Sequence, residues 1–168
     1  MKECAILLNG ELSQLDSIRP YLSRVTHYIA ADGGARHALK HNLSITTLIG
    51  DFDSLSTEIL EQYRSLGVEI IEHPVDKDST DLELAVRLAH ARRAESIHLL
   101  GTEGVRSDHL LGIMTLLGHS DFKECRLWAY DAAFDAFPSP VHHLAYLSSY
   151  HRTYEPPSAS DAVHPATW

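Results

Sequence analysis

A chain of 168 residues, 44% hydrophobic and 22% charged, has the size and composition of one globular domain, or of one domain with a fragment of another. Its formal net charge of -9 excludes a general nucleic-acid binder, which would carry a basic surface, but permits one nucleotide held through a metal ion. Cys4 and Cys125 are too few for a disulfide framework, and no apolar run is long enough for a signal peptide or a membrane span. These features predict a cytoplasmic protein that binds neither nucleic acid nor membranes.

Short apolar runs alternate along the chain with segments of helical periodicity. The predicted strands are residues 4–8, 26–31, 45–49, 68–71, 96–100 and 125–130. The clearest helical segment is TDLELAVRLAHARRA, which places Leu82, Ala85, Val86 and Ala89 on one face. The alternation predicts an α/β fold with an open, mainly parallel, Rossmann-like sheet and helices on both faces. Ligands bind such sheets beyond the carboxyl ends of the strands, which is where each unusual motif of this chain falls.

The composition changes near residue 130. All nine glycines lie at or before Gly118, whereas five of the seven prolines lie at or after Pro138. The last segment lacks a period of 2 or 3.6 residues and has no glycine for tight turns. The sequence therefore predicts a nucleotide-binding α/β catalytic domain over residues 1–130 and an irregular tail, truncated or disordered, over residues 131–168.

The motif AADGGA, residues 30–35, follows the second predicted strand. Gly33 and Gly34 permit a close approach of the backbone to another group. A helix that starts here would aim its free N–H groups at an anion. The alternative is a simple strand-to-helix turn in which Asp32 is the cap.

The motif GDFDS, residues 50–54, follows the third predicted strand. On an extended backbone the side chains of Asp51 and Asp53 point the same way, so both carboxylates can face one ion. Such a pair suits Mg²⁺, which prefers oxygen ligands and keeps part of its water shell. The alternative is an acidic turn that caps a helix beginning near Thr57.

The motif KDSTDLE, residues 77–83, opens the long helix. Thr80 and Glu83 form the pattern of a capping box, and Asp78 and Asp81 could simply complement the helix dipole. A cap requires at most one acid, however, and Lys77 is suited to bind a phosphate. Asp81 is therefore the candidate for a third metal-binding carboxylate.

The motif GTEGVRSDH, residues 101–109, follows the fifth predicted strand. Gly101 and Gly104 indicate a loop, and Arg106 can pair with a phosphate. Asp108 or His109 could serve an acid–base or orienting role.

Taken in this order, the four motifs closely resemble those of the thiamine pyrophosphokinase family over roughly the first 120 residues, and ILLNGEL (residues 6–12) resembles its opening strand and loop. The resemblance implies an enzyme that transfers the pyrophosphoryl group of ATP to the hydroxyl of thiamine, giving thiamine diphosphate and AMP. It also implies a homodimer and a second, β-sandwich domain that helps to form the thiamine pocket.

The resemblance also implies roles for individual residues. Asp51, Asp53 and Asp81 would hold Mg²⁺. Asp108 would orient or deprotonate the alcohol, with Asp81 and Arg106 as the other catalytic residues. The residues implied on the nucleotide side are Asn9, Asp32, Gly33, Gly34, Lys77, Asp78, Thr80 and Arg106.

The chain departs from the family pattern in two places. Val105 stands where a second glycine is expected, so a distorted loop is expected before Arg106. Too few residues follow Tyr130 for a sandwich of about 100 residues, so that domain is expected to be largely missing.

Two alternatives to the kinase follow. One is a non-catalytic, nucleotide-binding remnant of the family that lacks a complete thiamine site. The other is a metal-dependent nucleotide-sugar glycosyltransferase, which would explain the Asp-x-Asp pattern but neither KDSTDLE nor GTEGVRSDH.

Overall fold

The computed structural model describes residues 2–13, 15–74, 79–102, 104, 107–122, 125–131 and 134–138; for 107–110, 131 and 134–138 it describes the backbone alone. The strands are β1 (Glu3–Leu7), β2 (Val25–Ala31), β3 (Thr47–Gly50), β4 (Glu69–Glu72), β5 (Ser96–Leu100), β6 (Arg126–Asp131) and β7 (Phe134–Pro138). The α-helices are α1 (Leu15–Ile18), α2 (Ala35–Lys40), α3 (Thr57–Ser65), α4 (Asp81–Ala91) and α5 (Ser107–Leu117). Short 3₁₀ turns cover Arg19–Leu22, Asp32–Gly34 and Ser120–Phe122. Within these described ranges, no helix combines the length and the apolar character needed to cross a membrane.

The six predicted strands are confirmed as β1 to β6, and no end differs from its prediction by more than two residues. Every residue of β1, β3 and β5 is buried. Strands covered on both faces carry near-continuous apolar runs, because both faces must be kept from water. This is why the runs were recognisable without an alternating pattern.

The strands form one sheet in the order β4-β3-β2-β1-β5-β6-β7. The first six are parallel to their neighbours, and β7 runs antiparallel to β6. The chain builds outward from β1 to β4 and then returns to the other side of β1 with β5. The reversal makes the gap between β1 and β5 the topological switch point, where ligands of such sheets usually bind.

Helices cover both faces of the sheet, as predicted. On one face α4 and α5 pack against side chains such as Ile6, Ile97 and Leu127. On the other face α1, α2 and α3 pack against side chains such as Leu7 and Leu48. The predicted apolar face of α4 is confirmed: Ala85, Val86 and Ala89 are buried, and Leu82 packs against the same cluster.

The sheet continues beyond residue 130. Strand β7 lies within residues 131–168, where the sequence predicts irregular structure. The run FDAFP is short and ends in proline, which is tolerated on an edge strand because an outward-facing N–H is not needed there. Residues 139–168 lie outside the described residues, so the division into a catalytic domain and a tail stays a prediction.

Candidate active site

The loops that carry the motifs meet at the carboxyl edge of the sheet. The N–H of Leu8 donates to the Leu100 carbonyl oxygen at 2.8 Å, and that of Gly10 donates to Gly101 at 3.0 Å. These bonds extend the pairing of β1 with β5 into the loops at the switch point. On the other side of β1, the turn after β2 lies against the loop after β3.

The turn after β2 is compressed against β1. A Cβ atom on Gly33 would lie 2.2 Å from Asn9 Oδ1, and one on Gly34 would lie 2.0 Å from the Leu7 carbonyl oxygen. The two glycines therefore let this turn approach the chain's own first strand and loop. Asp32 adopts a φ of +44° and is the first residue of the 3₁₀ turn, and the N-cap positions of this turn and of α2 are occupied by Ala31 and Gly34. The Asp32 carboxylate instead faces the neighbouring loop, so the simple capping alternative is wrong.

Three carboxylates converge at this edge. Oxygen atoms of Asp32, Asp51 and Asp53 all lie within 4.8 Å of one another. Asp32 and Asp51 are half-buried, whereas Asp53 is exposed. Asp51 and Asp53 do face one point, but the backbone is not extended: Phe52 between them has a φ of +61° and a buried side chain. A tight turn anchored by Phe52 thus brings the two acids together.

The negative charges of this cluster act on Asp53. The pKa of Asp53 is raised, first because of the negative charge of Asp51 and further because of Asp32 and Asp81. The Asp53 N–H also donates a hydrogen bond to Asp51 Oδ1, at 3.2 Å. A bound cation would relieve this repulsion, since it favours the charged form of every carboxylate around it.

Asp32 also has an unused ligand atom. Its Oδ2 accepts a hydrogen bond from the Ser54 hydroxyl at 2.8 Å. Its Oδ1 is buried and has no hydrogen-bond partner among the described residues. A buried, unpaired carboxylate oxygen is costly, and a divalent cation would satisfy it. The three carboxylates therefore fit a hard, oxygen-binding ion such as Mg²⁺.

The cluster differs from the predicted metal set in one member. Asp81, the first residue of α4, lies outside the group of three, although its charge reaches Asp53. The sequence assigned Asp32 to the nucleotide side and could not show that its carboxylate joins the Asp51–Asp53 pair. The missing information was that β2 and β3 are neighbours in the sheet. The part of Asp81 as a ligand stays a prediction.

Thr80 caps α4, as its sequence context predicts. Its hydroxyl oxygen accepts a hydrogen bond from the Glu83 N–H at 3.2 Å. The Glu83 carboxylate in turn accepts a hydrogen bond from Arg87 Nε at 2.9 Å. A role of Thr80 toward a nucleotide stays a prediction.

Several predicted site residues cannot be placed. Lys77, Asp78, Val105 and Arg106 lie outside the described residues. Asp108 and His109 belong to the backbone of α5, and their side chains are not described.

A cleft of about 370 Å³ lies between the loops after β1, β2 and β5, and Gly33, the residue after Asp32, is part of its lining. It lies at the switch point and is within the size range of small-ligand pockets. His37 contributes to its floor through a 2.6 Å hydrogen bond between Nε2 and the Gly10 carbonyl oxygen. The lining residues are Asn9, Gly10, Glu11, Leu12, Ser13, Gly33, Arg36, His37, Lys40 and Gly104. The basic side chains of α2 were not singled out from the sequence, because nothing in ARHALK distinguishes them from a solvated helix face.

The fold and the site define a class: a doubly wound α/β protein with a cluster of carboxylates, able to hold a cation, at the carboxyl edge of its sheet. Residues 18–129 match a family model described as "Thiamin pyrophosphokinase, catalytic domain". The chain therefore belongs to the thiamin pyrophosphokinase family, which confirms the resemblance carried by the motifs and decides against the glycosyltransferase alternative.

Individual relatives agree with this assignment. The chain is 28% identical over 117 residues to thiamine pyrophosphokinase from Bacillus subtilis, a match covering 70% of this chain and 55% of the relative. It is 36% identical over 74 residues to thiamine pyrophosphokinase 1 from Oryza sativa, covering 40% and 28%. The crystal structure of the Bacillus subtilis thiamine pyrophosphokinase superposes with a TM-score of 0.65 at 26% identity, over 78% of this chain and 61% of that one. A family member from Enterococcus faecalis gives 0.60 at 29% identity, over 76% and 61%. The chain thus spans about half the length of the Bacillus subtilis relative.

Proposed function

We propose that this chain carries the catalytic α/β unit of a thiamine pyrophosphokinase, which transfers the pyrophosphoryl group of ATP to the hydroxyl of thiamine and releases AMP. The observation that supports this most strongly is the convergence of Asp32, Asp51 and Asp53 at the sheet edge, within the region that matches the family's catalytic domain.

The acidic cluster would bind the metal ion of the reaction. Asp51 and Asp53 would hold Mg²⁺ together with Asp32, and Asp81 lies close enough to add negative charge. When bound, the ion would neutralise the triphosphate and withdraw charge from the bridging oxygen that leaves with AMP. The contribution of the protein is to hold the carboxylates in place beforehand, since positioning and charge stabilisation carry most of this kind of catalysis.

ATP would lie in the cleft that Gly33 lines, with its phosphates toward the cluster. Asn9 and Gly33 line the cleft, and Gly34 follows Gly33 in the same turn, so these three residues are proposed contacts of the nucleotide. The remaining proposed contacts come from the motifs that follow β4 and β5 in the sequence: Lys77, Asp78 and Thr80 from the first, and Arg106 from the second.

Asp108 is proposed to orient the thiamine hydroxyl or to accept its proton, with Asp81 and Arg106 as the other catalytic residues. A correctly held alcohol oxygen needs little further activation, because the transition state of such transfers has weak bonds to the nucleophile.

Thiamine binding and homodimerisation are proposals drawn from the family rather than from the described residues. A cytoplasmic location is supported by Cys4 and Cys125, which are both buried and unpaired, as expected in a reducing compartment.

A product assay tests the proposal. The chain is incubated with ATP, Mg²⁺ and thiamine, and AMP and thiamine diphosphate are measured together; equal amounts of both are expected. Asp53→Asn should reduce the rate by at least about 100-fold, in line with the loss of one preorganised charge contact. Its thermal midpoint should not fall, because the substitution removes repulsion.

The matched control is Asp16→Asn, which removes an exposed carboxylate of α1 that pairs with Arg19 at 3.0 Å. It should retain the activity of the parent chain. Substantial activity in Asp53→Asn would contradict the metal assignment. Nucleotide binding without AMP release in the parent chain would instead identify a binding module without turnover.

A further inference from the structure

Two side chains connect α2 to the loop after β3. The guanidinium of Arg36 donates a hydrogen bond to the Ser54 carbonyl oxygen. The Ser54 hydroxyl donates to Asp32 Oδ2 at 2.8 Å. Asp32 and Arg36 lie on one continuous turn and helix, so these two bonds close a ring between neighbouring loops that are far apart in sequence.

The first consequence concerns the orientation of Asp32. Because Ser54 occupies Oδ2, the carboxylate cannot rotate freely about its last torsion, and Oδ1 is left as the oxygen without a partner among the described residues. The backbone beneath it is held as well: the Tyr63 hydroxyl donates to the Ala35 carbonyl oxygen at 2.7 Å, just beyond the turn. Oδ1 is therefore presented in a fixed direction.

The second consequence concerns the Asp-x-Asp loop. Ser54 directly follows Asp53, and Phe52 adopts a left-handed conformation with a φ of +61°. A residue other than glycine keeps such a conformation only where its surroundings hold it. Two contacts hold the loop in this conformation: the Phe52 side chain is buried in the core, and Arg36 donates a hydrogen bond to the Ser54 carbonyl oxygen.

We propose that Arg36 and Ser54 are positioning residues for the acidic cluster: Arg36 fixes the backbone that follows Asp53, and Ser54 turns Asp32 so that its free oxygen faces the cation. Neither residue is itself a ligand. This rests on the proposed function only in taking Asp32, Asp51 and Asp53 as the cation site. Removal of a group that hydrogen-bonds to a metal ligand and orients it typically lowers the affinity for the metal by about 10- to 100-fold.

The experiment measures Mn²⁺ binding to the full chain by the loss of the free-ion EPR signal, without ATP or thiamine. Ser54→Ala and Arg36→Ala should each weaken binding by about 10-fold or more. Ser54→Thr keeps the hydroxyl and should restore affinity to within about threefold of the parent chain. The double variant should lose less than the product of the two single losses, because both bonds support one arrangement.

The controls remove the same groups elsewhere. Ser23→Ala changes an exposed serine before β2, and Arg93→Ala removes one exposed positive charge after α4, at the opposite edge of the sheet. Both should bind Mn²⁺ like the parent chain, which separates positioning from a change in net charge. Circular dichroism confirms that each variant is folded at the temperature of the titration, so that a lowered affinity reports the folded site.

Parent-like affinity in Ser54→Ala and Arg36→Ala would overturn the inference while leaving the cation site intact. A parent chain that binds no Mn²⁺ would overturn both the cation site and the positioning roles. A parent chain that binds Mn²⁺ with the expected losses in the variants, yet makes no AMP, would support the positioning roles and contradict the proposed function.

Discussion

Gly34 is the position where the structure predicts the largest effect of adding one methyl group. A Cβ atom there would lie 2.0 Å from the Leu7 carbonyl oxygen, 2.6 Å from the Leu7 carbonyl carbon and 3.1 Å from the Leu8 nitrogen. All three are backbone atoms of the central strand β1 or of the residue after it, so no side chain can move aside. Gly34→Ala must therefore separate the turn after β2 from β1.

The size of the penalty follows from the overlap. An ordinary contact of a Cβ atom is about 3.4 Å or longer, so the turn or the strand must shift by more than one ångström. Overpacking of a well-packed interior usually lowers the free energy of unfolding by about 1–3 kcal/mol. Here the added Cβ atom meets backbone atoms, which cannot rotate away, so we expect a loss of about 3 kcal/mol or more. In a chain of this size about 3 kcal/mol corresponds to a fall of roughly 6–12 °C in Tm.

The assay is thermal unfolding followed by circular dichroism, with urea unfolding as a second measurement. The matched control is Gly112→Ala in α5, where an added Cβ atom meets nothing within 4 Å. That substitution should raise stability by roughly 0.5–1 kcal/mol, because alanine favours a helix interior over glycine. A Gly34→Ala chain whose Tm stays within about 2 °C of the parent would refute the close approach of this turn to β1.

Two further substitutions test other parts of the fold. The His98 ring, whose Nε2 lies 3.4 Å from the Glu3 carboxylate, lowers the pKa of that carboxyl, so its ionised form stabilises the fold above the ordinary value of 4.5 and loses that effect as the pH falls through the lowered pKa. Glu3→Gln should lower Tm at pH 7 by about 3 °C, and its deficit against the parent should shrink in melts below pH 4.5; a constant deficit would contradict the assignment. Thr80→Ala removes the N-cap bond of α4 and should cost about 1 kcal/mol, measured by urea unfolding. Thr115→Ala within α5 serves as its control, and equal effects at both sites would argue against the cap.

Strands β1 to β6 could be predicted because a parallel strand that is buried on both faces consists mostly of apolar residues. Residues 96–100 coincide with β5, and the apolar face of α4 was read correctly from its helical period. Strand β7 was missed because FDAFP is short, contains a proline and pairs only at the sheet edge. Strand β7 forms by pairing with β6, and the residues of β7 alone do not indicate that pairing.

The sequence predicts part of the acidic cluster but not all of its residues. The spacing of Asp51 and Asp53 predicts that they face one point, and they do, but through a turn set by the left-handed conformation of Phe52 and not through the extended backbone on which the prediction was based. That Asp32 joins them follows from the adjacency of β2 and β3, which the sequence does not specify. The hydrogen bonds of Ser54 with Arg36 and Asp32 could not be predicted for the same reason, because they join loops that follow neighbouring strands.

The most direct test is the position of an anomalous scattering peak in crystals grown or soaked with Mn²⁺. If three side chains from the turns after β2 and β3 share one divalent ion, a single strong peak lies at bonding distance from oxygens of Asp32, Asp51 and Asp53. A map without a peak there, or with the manganese held elsewhere, would contradict the shared site and the pyrophosphoryl-transfer function proposed from it.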